Sequence, residues 1–263
     1  KSVVRAKDTP NFIANRIGVF SMAATIHHTA AFGLSLDLVD ALTGPAIGRP
    51  KSATYRTADV VGLDTMGHVF KGSALALQHD PWRAYFTPPV WLTTLIEKGA
   101  LGQKTGAGIY AAKGKQVLNP ETGEYQNAGA KPSEAVQAIL KIRNPAEKFA
   151  ALRASDDPQA QFLWAIHRDA FHYSAVLLAE IADTARDIDL AIRGGFGWSM
   201  GPFEIWQAAG WKQVADWINE DIAAGKAMTT TALPAWVADV QAVHTAKGSY
   251  SAAEYAYKPR WTL

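Results

Sequence analysis

Residues 8–33 read DTPNFIANRIGVFSMAATIHHTAAFG, with a proline near the start of the stretch and a glycine at its end. Thr9-Pro10 is a helix-start signal, because threonine can cap the first turn and the N–H that proline lacks would be unpaired there. Gly33 is a helix-stop signal. Apolar residues recur between them at near-helical spacing: Phe12, Ile13, Ile17, Phe20, Ala24 and Ala31. The stretch predicts one long helix with a wide buried face, whose first turns carry Asn15 and Arg16.

The same helix-start and helix-stop signals recur along the chain and predict a mainly α fold. A small polar residue precedes proline at Asp80-Pro81, Asn144-Pro145 and Asp157-Pro158. Glu147 follows Asn144 at the spacing of a capping box. Further glycine stops stand at Gly44, Gly99 and Gly225.

One segment has strand character instead. Residues 108–110 (GIY) and 116–118 (QVL) flank a short polar link, and residues 119–124 contain the proline and glycine of a turn. We expect a small β-hairpin there. Residues 113–160 are rich in Gly, Pro, Asn and charge, which is typical of a connector with two short helices at most.

A weak internal repeat, with a period of about 150 residues, divides the chain in two. Residues 37–44 (DLVDALTG) resemble 187–194 (DIDLAIRG), and a long predicted helix precedes each copy. We expect two similar helical units, 1–112 and 161–263, packed about a pseudo-twofold axis as an internal pseudo-dimer and joined by the connector 113–160. The alternative is chance similarity between two helix-loop-helix stretches.

Composition excludes several classes of function. The 26 basic and 24 acidic residues are interspersed, so no basic stripe suits nucleic acid. No run approaches the roughly 18 to 20 apolar residues of a membrane span, so no membrane span is expected and the cytoplasm is the default location. The chain has no cysteine, which excludes disulfides and thiolate sites. His27 and His28 diverge by about 100° on a helix, so we expect no metal site from them.

Residues 8–17 (DTPNFIANRI) resemble the D-x-P-G-F-I-x-N-R motif that opens the C-terminal domain of 3-hydroxyacyl-CoA dehydrogenases, directly after their Rossmann domain. Residues 101–110 (LGQKTGAGIY) resemble the L-G-x-K-T-G-x-G-F-Y ending of that domain, and 60–64 and 201–203 add to the resemblance. Asn11 stands where the family has glycine. Asparagine tolerates glycine-like backbone angles, so the fold should survive the exchange.

The tandem arrangement resembles the long bacterial enzymes of fatty-acid β-oxidation, which often carry a fused enoyl-CoA hydratase module. The resemblance implies the substrate-side part of an NAD-dependent enzyme that oxidises (3S)-3-hydroxyacyl-CoA to 3-oxoacyl-CoA. Its His/Glu pair and G-x-G-x-x-G loop would lie in an upstream Rossmann domain. This chain has no G-x-G-x-x-G, so alone it is expected to bind no NAD and to be inactive. Alternatives are a non-catalytic helical scaffold or acyl-CoA-binding assembly module, and a related dehydrogenase acting on another acid.

The resemblance implies that Asn15 lines the cleft between domains and helps hold the acyl substrate's oxygen beside the catalytic histidine. A side-chain amide offers two donors and one acceptor for that task. The ordinary alternative is a solvated or capping asparagine. Arg16 could reach the CoA, although a structural ion pair is favoured. The second copy has Ala165-Ile166-His167 before Arg168 and no asparagine, so only the first copy is expected to face substrate.

Two further features leave alternatives open. Residues 44–52 (GPAIGRPKS) mimic a phosphate-binding loop, but their spacing and prolines argue against nucleotide binding. Arg49, Lys51 and Lys104 could lend positive potential to a CoA, or could simply be solvated. The tryptophans of the second copy could fill its core or line an acyl-chain tunnel: Trp198, Trp206, Trp211 and Trp217.

Overall fold

The computed structural model describes residues 3–260, and the fold is mainly helical, as predicted. The helices are α1 Ala14–Ala31, α2 Leu36–Leu42, α3 Tyr55–Val61, α4 Leu63–Ala76, α5 Val90–Glu97, α6 Glu134–Leu140, α7 Pro145–Ala154, α8 Pro158–Ile181, α9 Ala185–Phe196, α10 Pro202–Ala223 and α11 Trp236–Asp239. The strands are β1 Tyr110–Ala111, β2 Gln116–Leu118, β3 Tyr125–Asn127, β4 His244–Thr245, β5 Gly248–Ser251 and β6 Ala256–Lys258. Within these residues no helix has the length and apolarity that crossing a bilayer requires.

Helix α1 begins at Ala14, later than Thr9-Pro10 indicated. Asn11 and Phe12 have φ of +67° and +51°, which a right-handed helix cannot include. The Asn11 amide also donates a hydrogen bond to Ser73 Oγ of α4 at 3.1 Å. Phe12 is 59% exposed, so the prediction that it belongs to the buried face was wrong.

The starts of α7 and α8 coincide with the two later proline signals. Asn144 Oδ1 accepts the Glu147 N–H at 3.1 Å, and Asp157 Oδ1 accepts the Gln159 N–H at 2.8 Å. Asp80-Pro81 precedes only a short 3₁₀ helix, Arg83–Phe86. One carboxylate oxygen of Asp80 accepts the backbone N–H of Trp82, but the other accepts a hydrogen bond from Arg16, which is far away in sequence.

Helix α8 lies at the centre of the molecule. Its residues 162–175 are buried without interruption, because α1 packs along one side and α7 and α10 pack along others. A helix buried on all sides needs hydrogen-bond partners for its polar side chains, and within α8 only His172 Nδ1 is buried without one. The contacts between α1 and α8 show how this is done.

Two buried ionic networks join α1 to α8. In the first, the Arg16 guanidinium lies 3.0 Å from Asp80 Oδ2 and donates to Tyr173 Oη at 3.0 Å, while Tyr173 donates to Asp80 at 2.7 Å. The Tyr173 ring also stacks on Phe20 of α1, with centroids 3.8 Å apart. This network ties the first turns of α1 to the second half of α8.

The second network surrounds Asp169. His28 Nε2 lies 2.6 Å from Asp169 Oδ2, and Arg168 bridges Asp169 at 3.0 Å and Asp221 of α10 at 3.1 Å. Burial by itself would raise the pKa of Asp169, but the His28 hydrogen bond and the Arg168 charge outweigh it and hold that pKa below its usual value. Asp169 is therefore a buried, paired carboxylate.

Both sheets correct the sequence interpretation. The expected two-stranded hairpin is a three-stranded antiparallel sheet, β1-β2-β3, because residues 125–127 pair with β2. It starts at Tyr110, before the predicted connector. A second three-stranded antiparallel sheet, β4-β5-β6, was not predicted. Its residues 244–251 (HTAKGSYS) are short and mostly polar, so they carry no clear apolar alternation.

Each half has a helix break at a glycine with positive φ. Gly62 lies between α3 and α4 with φ of +103°, and Gly210 interrupts α10 with φ of +107°. These glycines are 148 positions apart. Both backbone angles disfavour a side chain, so glycine is required at each helix break.

The capping side chains around these breaks also correspond. Asp40 accepts the N–H groups at the start of α3, including Tyr55 N, as Asp189 accepts Phe203 N at the start of α10. Asp59 then accepts two N–H groups of residues 109 and 110, as Gln207 accepts two of residues 243 and 244. Asp59 thus anchors the sheet β1-β2-β3 to α3, and Gln207 anchors the sheet β4-β5-β6 to α10.

We expect Asp80→Asn to destabilise the chain by about 3 to 5 kcal/mol, because it removes the buried carboxylate that pairs with Arg16 and leaves only the exposed Glu180, at 3.4 Å. Chemical denaturation would measure the change. The control, Asp216→Asn, removes an exposed pair with Lys212 and should cost about 0.5 kcal/mol or less. Equal costs for the two variants would contradict the assignment.

Candidate functional site

A cavity of about 420 Å³ opens beside α1 and is mostly apolar. Helix α1 contributes Val19 and Met22, and α4 contributes Met66 and Phe70. The opposite wall comes from residues 49–50 and 52–54 and from residues 195–198 at the end of α9. The cavity is therefore built by both halves of the chain.

Asn15 lines this cavity from the first turn of α1. Its side chain is exposed, and it makes no hydrogen bond with any other residue in the range 3–260. The helix holds the Asn15 backbone, while the amide stays available to a ligand. The structure thus places the predicted residue at the edge of an apolar cavity.

Arg16 points the other way. Its guanidinium is buried with Asp80 and Tyr173, and Arg16 is not among the residues that line the cavity. Residues 15 and 16 diverge because consecutive side chains on a helix are about 100° apart. The geometry favours the ion-pair interpretation of Arg16 over contact with CoA.

Gly18 and Phe196 bring the two halves into contact at this cavity. A Cβ on Gly18 would lie inside the Phe196 ring. The missing side chain of α1 therefore makes room for an aromatic ring from the end of α9. Sequence analysis did not single out either residue, because a glycine within a helix gives no local sign of what packs on it.

Arg49 lies in the same wall, stacked on Trp198 with its guanidinium carbon 3.9 Å from the ring centroid. Its Nη2 atom is shielded from solvent without a hydrogen-bond partner, and no carboxylate of residues 3–260 forms an ion pair with it. Burial lowers the pKa of Arg49 to about 9. Of the three cations considered from sequence, Lys104 instead pairs with Asp64 at 2.7 Å, and Lys51 is exposed away from this cavity.

The other tryptophans of the second half have different surroundings. Trp206 and Trp211 stack with centroids 3.9 Å apart, and both are buried in the core. Trp217 packs edge-on against Trp164. Of the four tryptophans named from sequence, only Trp198 lines the cavity.

His167, which precedes Arg168 as Asn15 precedes Arg16, is buried. Its ring packs edge-on against Phe149 of α7, with centroids 5.1 Å apart, and its Nδ1 lies 2.6 Å from the Leu163 carbonyl. Burial, followed by the nearby Arg49 charge, lowers the pKa of His167 to about 4. The space beside His167 is thus filled by aromatic packing.

An open groove of about 700 Å³ adjoins the cavity. Phe12 and Ala14 line it from the start of α1, and Leu190 and Arg193 line it from α9. Trp198 and residue 195 line both spaces, so the groove continues the cavity towards the surface.

The fold and the sequence of the chain both resemble those of known proteins. The fold matches 3-hydroxybutyryl-CoA dehydrogenase from Escherichia coli K12 with a TM-score of 0.61 and 16% identity, over 86% of this chain and 58% of that one. A probable 3-hydroxyacyl-CoA dehydrogenase from Bacillus subtilis is 44% identical over 84% of this chain and 28% of its own length. A putative fatty acid oxidation complex trifunctional enzyme from Rickettsia prowazekii is 27% identical over 83% of this chain and 31% of its own length.

These likenesses define a helical domain of the kind found in 3-hydroxyacyl-CoA dehydrogenases. Residues 12–112 match the family model described as 3-hydroxyacyl-CoA dehydrogenase, C-terminal domain. This part of the chain is therefore a C-terminal domain of the 3-hydroxyacyl-CoA dehydrogenase family, which confirms the resemblance seen at residues 8–17 and 101–110. The chain spans about a third of the length of these Bacillus and Rickettsia relatives.

We expect Gly18→Ala to cost about 1 to 3 kcal/mol of folding stability, because the new Cβ would displace the Phe196 ring. Adding Phe196→Ala should cost less than the sum of the two single changes. Gly72→Ala, on the same type of helical backbone but with open space around it, should instead stabilise by about 0.5 to 1 kcal/mol. Additive costs for Gly18 and Phe196 in thermal denaturation would contradict the contact.

We expect His167→Phe to flatten the acid side of the stability profile. The unfolded imidazole gains its proton near pH 6.5 and the folded one only near pH 4, so the stability that neutral His167 contributes is full above pH 6.5 and is lost as the pH falls towards 4. The native chain should therefore lose up to about 3 kcal/mol relative to the variant across that window. Denaturant unfolding at several pH values measures this difference, and the same substitution at exposed His68 is the control. A difference that does not change with pH would refute it.

Proposed function

We propose that this chain is the substrate-side part of an NAD-dependent 3-hydroxyacyl-CoA dehydrogenase that oxidises (3S)-3-hydroxyacyl-CoA to 3-oxoacyl-CoA in fatty-acid β-oxidation. One observation carries the proposal: the free amide of Asn15 stands at the edge of an apolar cavity that suits an acyl chain. Two long relatives whose names indicate this enzyme class or fatty-acid oxidation support it.

Asn15 has the chemistry to orient the substrate. Its amide can donate to an oxygen on which charge develops and accept from a hydroxyl, and the first turn of α1 fixes its position. The apolar side chains of Val19, Met22 and Phe70 would pack on the acyl chain beyond it. The chain's part in the reaction is thus to bind and align.

The nicotinamide cofactor does not fit the described residues. Both sheets in residues 3–260 are small and antiparallel, whereas a dinucleotide fold needs parallel strands with a glycine-rich turn before a helix. We therefore assign the NAD site and the His/Glu pair to an upstream Rossmann domain in a longer protein. Exposed apolar side chains near Asn15, including Phe12 and Val61, would face that domain.

We also propose that the two halves arose by duplication and pack as an internal pseudo-dimer. The matched glycines at 62 and 210, the matched caps of Asp40 and Asp189, and the crossing of α1 with α8 support this. The buried His167 in place of Asn15 leaves one substrate-binding half and one structural half. We place the protein in the cytoplasm, with a downstream enoyl-CoA hydratase module as a candidate partner.

The rival function is a helical scaffold that binds acyl-CoA without catalysis. The exposed, unpartnered amide of Asn15 favours the dehydrogenase, because a scaffold would need only the apolar walls. A G-x-G-x-x-G domain carrying a histidine and a glutamate, found upstream in the parent gene, would distinguish the two ideas in favour of the dehydrogenase.

We expect Asn15→Ala to weaken acetoacetyl-CoA binding about tenfold, as loss of one or two hydrogen bonds to the ligand would do. NADH should give no heat of binding with either form. Asn219→Ala, the same change at an exposed position of α10, is the control and should leave binding unchanged. An acetoacetyl-CoA affinity that is unchanged by Asn15→Ala, or tight NADH binding, would reject the proposed role.

A further inference from the structure

The Arg49 guanidinium differs from the other buried arginines of the molecule. Arg16 and Arg168 each have a buried carboxylate at 3.0 to 3.1 Å. Arg49 has an aromatic ring beneath it, but within residues 3–260 it has no hydrogen-bonded partner and no ion pair. A shielded cation without an anion costs folding free energy, so a position that keeps one is a candidate for binding an anion.

Two loops hold Arg49 in place. The Ser199 N–H donates to the Gly48 carbonyl at 2.8 Å, and a Cβ on Gly48 would collide with the Ser199 side chain. Arg49 follows Gly48 and Trp198 precedes Ser199, and the guanidinium stacks on the face of the Trp198 ring. The stacking uses the flat face of the guanidinium and Nη2 is shielded, so the in-plane N–H groups of Nε and Nη1 are the ones left to a ligand.

The cavity around Arg49 selects the kind of anion. Its walls are mostly apolar, and the hydroxyls of Thr25, Thr54 and Thr57 are already hydrogen-bonded within the protein. An accessible guanidinium N–H donates a strong, charge-assisted hydrogen bond to a carboxylate. A diphosphate would bring more charge into the same apolar space and would lose more hydration.

We propose that this cavity binds an acyl chain that ends in a carboxylate, with Arg49 as the carboxylate receptor. The inference builds on the proposed function by taking Asn15 as the second polar anchor of the same cavity. The carboxylate could belong to a free carboxylic acid or to the far end of an ω-carboxyacyl thioester. Arg49 is then a specificity-determining residue that favours chains with a charged end over chains that end in a methyl group.

The test uses two ligand pairs on the intact 263-residue chain, followed by calorimetry and tryptophan fluorescence. The first pair is decanoate and decanol, and the second is 7-carboxyheptanoyl-CoA and octanoyl-CoA. We expect the carboxylate to bind at least about tenfold tighter in one or both pairs, as a charge-assisted hydrogen bond would provide. A preference in the first pair alone identifies free acids, and a preference in the second identifies ω-carboxyacyl thioesters.

Arg49→Gln should abolish the preference and leave decanol binding unchanged, which also shows that the cavity is folded. Arg49→Lys should keep part of the preference, because it keeps the charge and loses the flat stacking on Trp198. The matched control is Arg56→Gln, which removes a guanidinium stacked on Tyr110 at 4.1 Å outside this cavity.

Equal affinity within both pairs, or a preference that survives Arg49→Gln, would overturn the proposal. The acid and alcohol pair needs neither NAD nor turnover, so it reports on Arg49 independently of the dehydrogenase role. Sensitivity of acetoacetyl-CoA binding to Asn15 reports on that role separately.

Discussion

The buried charges between α1 and α8 constrain the rest of the structure. Arg16, Asp80 and Tyr173 form one cluster, and His28 and Asp169 belong to the other. Charges that leave water need partners at fixed positions, so the two helices can cross in only one register. That register sets which side of α1 faces inward, and hence leaves Asn15 exposed beside a cavity while its neighbour Arg16 is buried.

Local rules were enough to predict some elements of the fold. The starts of α7 and α8 follow from Asn144 and Asp157, because capping depends on residues within one turn. The start of α1 was misplaced because the left-handed backbone at Phe12 is imposed by its surroundings, and nothing in that residue type announces it. The second sheet was missed because β5 is buried along its whole length despite its polar sequence.

The site was only half visible in the sequence. Asn15 could be proposed because it lies inside a recognisable motif. The opposite wall could not, because Phe196 and Trp198 are far from α1 in sequence and meet it only after the halves pack. Arg49 was noticed as a charge, but its aromatic partner and its lack of a carboxylate are properties of the tertiary structure.

The fit of the Phe196 ring over Gly18 also bears on how such a chain can evolve. A binding space whose two walls belong to different halves is lost if either half drifts, is exchanged or is copied alone. Selection for ligand binding therefore acts on a pair of positions 178 apart as though they were one. Under the proposed duplication, the second half is still kept under functional selection after aromatic packing has filled its own space, because it supplies a wall to its neighbour.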